Sequence, residues 1–326
     1  TKNLADPAVV PKDNFEAKKY TGDGVDAGQS IALEFQPDLT WLKVTNASYS
    51  HVLFDAVRGA SSGYLMSDST SQEQEAHADL EFISTGIKPK IGSSSELSSN
   101  GSGRPYIAWN WEAGNETLGT GAFTQGTIAS TCSRNVAAGF SIVSYEGTGS
   151  AGATVGHGLS SAPEMMIVKS RETTSGGNTN WRVYSKDIGA GYNLIFGTSA
   201  LLTQNALNST DPTSSVFSLG NHVSTNDNGY DYIAYCFHSV DGYSKVGSYT
   251  GNSSADGTFV YTGFKPAYVM FKKTTGSDNW GIHDSKVNDH EGNVISPFLK
   301  ADSSDAEQDT GDSVDFLSNG FKWRVN

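Results

Sequence analysis

The chain has 326 residues, a net charge of −13 at pH 7 and 36 glycines, and only 17% of its residues are charged. The acidic balance argues against nucleic acid as a partner, because phosphates attract clustered Lys and Arg. No run of 18 uninterrupted apolar residues occurs, so we expect no membrane insertion. The composition is typical of an all-β protein with many tight turns, since a helical bundle would need more Ala, Leu, Glu and Lys.

The first 14 residues are polar and contain Pro7 and Pro11, which predicts an extended lead-in. The sequence begins at Thr1 without an initiator Met, so we expect a processed chain or a segment of a longer one. Its length leaves room for two or three domains, each able to bury a core of its own.

One pattern of strands and turns then occurs three times. Each copy has a Tyr, a Gly two residues later that is expected to supply the positive φ of a tight hairpin, and a Pro that opens a further strand. The distance from Tyr to Pro is 17, 18 and 17 residues. The pairs are Tyr20 and Pro37, Tyr145 and Pro163, and Tyr249 and Pro266. Such agreement indicates an internal repeat.

The first two copies end in alternating aromatic strands. Unit one (15–113) closes with YIAWNW at Tyr106–Trp111, and unit two (139–241) closes with YIAYCF at Tyr232–Phe237. The opening Tyr lies 86 residues before the closing strand in unit one and 87 residues before it in unit two. Residues 114–138 between them have little periodicity and are predicted to be a linker with at most one strand.

Unit three (242–326) opens in the same way and contains FLSNGFK at Phe316–Lys322, which is close to FISTGIK in unit one. By the same spacing its closing aromatic strand would start beyond Asn326. We therefore expect either that the chain continues with a Tyr- or Phe-rich strand, or that a neighbouring subunit supplies one by β-augmentation.

Short strands with turn signals every few residues predict three tandem antiparallel β-sandwich domains of a jelly-roll or lectin-like kind. Their predicted bounds are 15–113, 139–241 and 242–326, after the lead-in 1–14 and with the linker 114–138. The lysines that close each third strand are expected to be solvated, because exposed Lys is the usual outcome. These are Lys43, Lys169 and Lys272.

Three stretches resemble an uncharacterised repeat domain of virion proteins from marine tailed phages, of the tail-fibre or tail-tip type. They are DPTSSVFSLG (211–220), AYCFHSVDGYSKVGSYTG (234–251) and SYTGNSSADGTFVYTGFKPAYVMFK (248–272). The resemblance extends over essentially all of residues 15–326 and implies a structural or adsorption role on an extracellular particle. It implies assembly with identical subunits, expected to form a homotrimer, and with other virion proteins. It implies no catalytic residues.

We therefore expect a phage tail-fibre or receptor-binding protein that recognises a host-surface glycan. One alternative is a capsid or tail decoration protein without a receptor role, and another is a secreted polysaccharide hydrolase. Trp181 and Trp280 occupy equivalent positions in units two and three, where exposed rings would stack on sugars. The competing interpretation, which we favour, is that both fill the cores of their units.

Catalytic and metal motifs are missing from the sequence. The seven histidines form no HxH or HExxH pattern, and there is no G-x-S-x-G, so we expect no enzyme, no cofactor and no metal. Structural calcium stays an alternative at three oxygen-rich stretches, which Asx-turns and solvated loops explain equally well. They are Asp23–Asp26, Thr225–Gly229 and Asp302–Asp315. Cys132 and Cys236 are expected to be free thiols.

Overall fold

The computed structural model describes residues 7, 9–26, 28–59, 63–75, 80–91, 99–177, 179–197, 201–203, 205–287, 294–309 and 313–324. These residues form several antiparallel β-sheets, so the predicted all-β class is confirmed. Helical structure among them is limited to a 3-10 turn at Pro11–Asp13 and a four-residue helix, α1, at Val223–Asn226. Neither has the length and apolar character needed to cross a membrane.

The described part of unit one has a six-stranded main sheet and a three-stranded small sheet. Its strands are β1 (Phe15–Thr21), β2 (Ile31–Ala32), β3 (Leu39–Val44), β4 (Val52–Asp55), β5 (Gly63–Met66), β6 (Gln74–Glu75), β7 (Leu80–Ile83), β8 (Gly86–Pro89) and β9 (Pro105–Trp111). The main sheet has the order β1-β9-β3-β4-β5-β6, and the small sheet has the order β2-β8-β7. The closing strand β9 thus lies between β1 and β3. Tyr20 lies opposite Tyr106, with the two rings stacked 4.9 Å apart.

Unit two repeats this arrangement. Its strands, with one that precedes it, are β10 (Ser130–Asn135), β11 (Phe140–Glu146), β12 (Thr154–Gly156), β13 (Met165–Ser170), β14 (Arg182–Ser185), β15 (Leu194–Ile195), β16 (Val216–Ser218) and β17 (Asp231–Phe237). The main sheet has the order β10-β11-β17-β13-β14-β15, and β12 pairs with β16. Tyr145 lies opposite Tyr232, with centroids 5.3 Å apart. Because β10 pairs with β11, residues 114–138 contribute one edge strand to this sheet.

Unit three has a smaller main sheet. Its strands are β18 (Phe259–Tyr261), β19 (Tyr268–Phe271), β20 (Gly281–Asp284), β21 (Val294–Ile295), β22 (Leu299–Lys300), β23 (Ser313–Leu317) and β24 (Gly320–Arg324). The small sheet has the order β18-β24-β23-β21, and the main sheet consists of β19-β20-β22. In the described part of the chain, β19 pairs with β20 alone, and residues 246–250, which correspond to β1, belong to no strand.

The central strands of the main sheets in units one and two bury both of their faces. In unit one, Leu42 and Val44 of β3 pack with the small sheet, in a cluster that includes Ile31 and Ile87. Because neighbouring residues of a strand point to opposite faces, Trp41 points the other way. It joins a core that includes 22 buried residues of the described chain, drawn from all three units. The units therefore share one central core, in addition to the smaller cores that each of them encloses.

Hydrogen bonds across this core join each unit to another in a closed order. Trp181 of unit two donates from Nε1 to the carbonyl of Met66 in unit one, at 2.8 Å. Trp280 of unit three donates to the carbonyl of Ile195 in unit two, at 2.7 Å. Unit one has His51 at the same position, and its buried ring lies beside the backbone of Lys300 in unit three. The order of contacts is two to one, three to two and one to three.

Two of the strand-end lysines are buried, so the expectation that they are solvated is wrong. Lys43 and Lys169 are 1% and 0% exposed. The Nζ atom of Lys43 donates to the carbonyl of Ser304 at 3.3 Å. The Nζ atom of Lys169 donates to the carbonyl of Thr70 at 3.1 Å and, within its own unit, to the carbonyl of Thr179 at 3.0 Å. Each ammonium group therefore bonds to the unit that follows in the closed order. Lys272 is half-buried.

Candidate functional site

The two tryptophans considered as candidate glycan contacts lie in the shared core, as the favoured interpretation predicted. Trp181 is 1% exposed and Trp280 is 4% exposed. Both rings pack against Phe196, with centroids 5.8 and 5.2 Å from it. Their indole N–H groups are also engaged across the unit boundaries, as described above. Rings held in this way present no face on which a sugar could stack. Any glycan would therefore have to contact other residues.

The oxygen-rich stretches use their side chains for internal bonds. Thr225 and Asn226 are fully buried, and the Asn226 side chain donates to the carbonyls of Ser150 and Gly220 at 3.0 and 2.7 Å. Oδ1 of Asp23 accepts from the amide of Val25 at 2.9 Å. Among the described residues, no three His, Cys, Asp or Glu side chains are grouped to hold a metal ion.

In the acidic run Asp302–Asp315, the described carboxylates also have protein partners. Asp302 accepts from the amide of Trp280 at 3.0 Å. Asp305 pairs with Lys300 at 2.9 Å, and Asp315 pairs with Arg324 at 2.7 Å. These bonds favour the interpretation of the run as turns and ion pairs.

Buried ionisable groups face protein atoms. Burial lowers the pKa of Lys43 and of Lys169 to about 8. Burial raises the pKa of Cys132 to about 12, and both cysteines are free and buried. A buried thiol with a raised pKa is a poor nucleophile at neutral pH, because the thiolate is the reactive form.

The exposed aromatic side chains concentrate in unit three. Of the four aromatic residues among the large exposed side chains of the described chain, three belong to this unit. They are Tyr249, Phe259 and Tyr261, with 41%, 42% and 62% of their surface exposed, and the fourth is Tyr192 at 45%. Large apolar rings seldom stay exposed in a group without a binding role.

Strand β18 places two of these rings on one face. Its central residue, Val260, packs into the unit's inner core, so Phe259 and Tyr261 on either side of it point outward by strand alternation. Gly320 on the neighbouring strand lies opposite Tyr261. A side chain at Gly320 would meet the carbonyl of Val260 and the ring of Phe259, so glycine leaves room for that ring across β24.

Charged groups border Phe259 and Tyr261, which we call the outer aromatic pair. Lys322 lies opposite Phe259 and forms an ion pair with Asp256, with Nζ and Oδ1 2.6 Å apart. Arg324 bonds to the same carboxylate at 3.0 Å and to Asp315 at 2.7 Å. Two adjacent rings beside fixed charged donors and acceptors can stack on the apolar face of a sugar and bond to its hydroxyl groups.

The sequence analysis did not select Phe259 or Tyr261. The segment GTFVYTG gave only a short signal, because its three-residue strand alternates aromatic, aliphatic and aromatic side chains without indicating which face is buried. With Val260 facing the core, both rings must face outward. The corresponding strands of units one and two contain no aromatic residue: β2 consists of Ile31 and Ala32, and β12 consists of Thr154–Gly156.

The fold and this surface define an all-β protein whose units surround a shared core. Its exposed aromatic pair lies in unit three. The chain belongs to the family described as Domain of unknown function (DUF7483), whose model matches residues 10–326. No curated protein and no solved structure matched the chain.

Proposed function

We propose that the protein is a structural and receptor-binding protein of a tailed-phage virion, of the tail-fibre or tail-tip type, and that the outer aromatic pair contacts a host-surface glycan. The observation that carries the glycan contact is the concentration of exposed aromatic rings in unit three, with Phe259 and Tyr261 on one outward face. The resemblance of residues 234–251 and 248–272 to phage virion repeats supports the location on a particle.

A binding role agrees with the hydrogen bonds that join the units. The buried lysines and tryptophans hold the units to one another. In this proposal units one to three are tandem sandwich repeats that build a rigid support, and the outer pair is displayed on it. Identical subunits assemble as a homotrimer, other virion proteins hold the trimer on the particle, and the protein binds without turnover.

The test is binding of the purified protein to surface polysaccharide from candidate host cells. The variant with both Phe259→Ala and Tyr261→Ala is expected to lose at least about tenfold in affinity, a loss of about 1.4 kcal/mol. Tyr192→Ala is the matched control, because that ring is equally exposed but lies in unit two. Unchanged binding by the double variant would refute the assigned contact, and release of reducing ends by the wild-type protein would refute binding without turnover.

A further inference from the structure

Arg182 is a buried cation in unit two. It is the first residue of β14, next to Trp181 and Val183, which both belong to the shared core. By strand alternation its side chain therefore points to the opposite face, together with Tyr184 of the unit's inner core. Only 7% of Arg182 is exposed. Burying a charge is costly unless an opposite charge and hydrogen bonds compensate for it.

The equivalent positions of the other two units carry no charge. Unit one has Val52 there and unit three has Gly281, each directly after the residue that corresponds to Trp181. Val52 is 3% exposed and packs with the apolar residues of the inner core of unit one. The fold of a unit therefore does not require a cation at this place, and the guanidinium group of Arg182 needs another explanation.

No carboxylate of the described chain neutralises Arg182. Burial is the one cause that shifts its pKa, which falls to about 10. Its Nη1 donates to a neutral group, Oδ1 of Asn193, at 2.9 Å. The other buried arginine among the described residues, Arg58, has the same exposure but donates from Nε to Oδ2 of Asp55 at 2.5 Å. Arg182 thus has the environment of a charge whose counter-ion is not part of the described chain.

One edge of the Arg182 guanidinium group has unused donor capacity. Its Nε is buried and has no hydrogen-bond partner in the described chain. Its Nη2 lies 3.4 Å from Oγ of Ser224 and 3.4 Å from Nε2 of His222, which is long for a hydrogen bond. The N–H groups of Nε and Nη2 point the same way, as a planar fork that matches two oxygens of a carboxylate or phosphate.

His222 places another donor at the same edge. Its Nδ1 accepts from the amide of Ser224 at 3.1 Å, so the proton of the neutral imidazole is on Nε2. Burial and, after it, the charge of Arg182 lower the pKa of His222 to about 4, so the ring is neutral at pH 7. Two donors, Nε2–H and Nη2–H, therefore face each other and cannot bond to one another. An oxygen atom beside both can accept from each.

We propose that Arg182, His222 and Ser224 form a binding site for a small oxyanion, which is either the carboxylate of an acidic sugar or inorganic phosphate. One oxygen accepts from Nε of Arg182, and a second accepts from its Nη2 and from Nε2 of His222. The bond from Nη1 to Asn193 holds the fork in place. His222 is half-buried, whereas Arg182 and Ser224 are buried, so the anion enters from the side of the imidazole ring.

This site is separate from the outer aromatic pair, which lies in unit three, and does not depend on the glycan contact proposed there. Calorimetric titration of the full chain with inorganic phosphate and with glucuronate, at constant ionic strength, tests it. We expect at least one of these anions to bind saturably, with one site per chain. Glucose is the neutral control for glucuronate, because it has a hydroxymethyl group in place of the carboxylate.

Arg182→Met is expected to weaken the binding at least about tenfold. The variant should fold, because apolar Val52 occupies the equivalent place in unit one. The bound anion should also raise the urea midpoint of the wild type and leave that of Arg182→Met unchanged. Arg134→Met is the matched control, since that arginine belongs to the same main sheet but is exposed.

His222→Asn is a second variant that keeps the local turn. Asn retains an acceptor for the amide of Ser224 but is too short to place a donor where Nε2 lies. We expect a loss of at least about threefold in affinity. Circular dichroism checks that each variant is folded.

Binding of glucuronate alone would assign the site to a sugar carboxylate, and binding of phosphate alone would assign it to a free inorganic anion. The proposal is overturned if neither anion binds saturably. It is also overturned if folded Arg182→Met binds the anion as tightly as Arg134→Met does, or if glucose binds as tightly as glucuronate.

Discussion

The indole Nε1 of Trp109 donates a hydrogen bond of 2.8 Å to Oδ2 of Asp284, which lies 175 positions later in the chain. Both side chains are buried, at 0% and 1% exposure. The other carboxylate oxygen of Asp284 accepts from the amides of Lys286 and Val287, at 2.5 and 3.3 Å. One carboxylate therefore links unit one to unit three and also fixes the turn after β20.

Replacing Asp284 with Ala is expected to lower the free energy of unfolding by about 2–4 kcal/mol, because it leaves the Trp109 N–H and two backbone amides without their acceptor. The matched control is Ser185→Ala, at the equivalent position of unit two, which should change stability by about 0.5 kcal/mol or less. Urea-induced unfolding measures both variants. Equal losses for the two would contradict the role assigned to the Trp109 bond.

The buried lysines predict an unusual dependence of stability on alkaline pH. Burial lowers the pKa of Lys43 and Lys169 to about 8, from an ordinary value of 10.5. Between these two values the unfolded chain binds more protons than the folded chain does, so stability should rise as pH rises from about 8 towards 10. The slope should approach about 1.4 kcal/mol per pH unit for each lysine.

Urea-unfolding curves at pH 7, 8, 9 and 10 test this dependence. Lys43→Met and Lys169→Met should each remove about half of the rise. Lys245→Met is the control, because that exposed side chain should leave the rise intact. A rise of full size in both buried-lysine variants would mean that other groups cause it.

The matching strand order of the main sheets in units one and two was predictable, because the spacing of their motifs follows from strand and turn lengths. The structure sets Tyr20 opposite Tyr106 and Tyr145 opposite Tyr232, and their separations in the sequence had already indicated equivalent places. The third strands β3, β13 and β19 each begin two residues after the repeat Pro. Equivalence of Tyr249 stays a prediction, because the described chain has no strand there.

The shared core and the buried lysines could not be predicted from local patterns. The acceptors of the inter-unit bonds are backbone carbonyls 261 and 99 positions away from Lys43 and Lys169. A carbonyl has no sequence signature, so exposed Lys was the better expectation. The outer aromatic pair was missed because a three-residue strand carries too little alternation to distinguish an exposed ring from a buried one.

The tryptophans that cross the unit boundaries provide a further prediction. Trp181→Ala and Trp280→Ala should each lower the free energy of unfolding by about 3–5 kcal/mol, because each leaves a cavity in the shared core and a carbonyl without its donor. Tyr261→Ala, at 62% exposure, is the control and should stay within about 0.5 kcal/mol of the wild type. Thermal and urea unfolding check the three variants. If either Trp variant unfolds like the wild type, the core placement of that ring is incorrect.

The glycines after the opening tyrosines give the last prediction, which compares three equivalent positions in one chain. A Cβ atom at Gly22 would lie 2.2 Å from the carbonyl oxygen of Gly101, and one at Gly147 would lie 2.2 Å from that of Asp227. Both are collisions with backbone, which cannot move aside as a flexible side chain can. Neither glycine has positive φ, so the expected reason for these glycines is wrong, and the close approach of backbone requires them. At Gly251 a Cβ atom would meet nothing within 4 Å in the described chain.

Gly22→Ala and Gly147→Ala should therefore each lower the free energy of unfolding by about 1–3 kcal/mol, as overpacking does. Gly251→Ala should leave the free energy of unfolding unchanged or raise it by up to about 1 kcal/mol, because Ala restricts the unfolded chain more than Gly does and the φ of Gly251 is not positive. Urea unfolding of the three variants in the isolated chain measures these differences. A loss at Gly251 as large as the loss at Gly147 would show that the space around Gly251 is already filled.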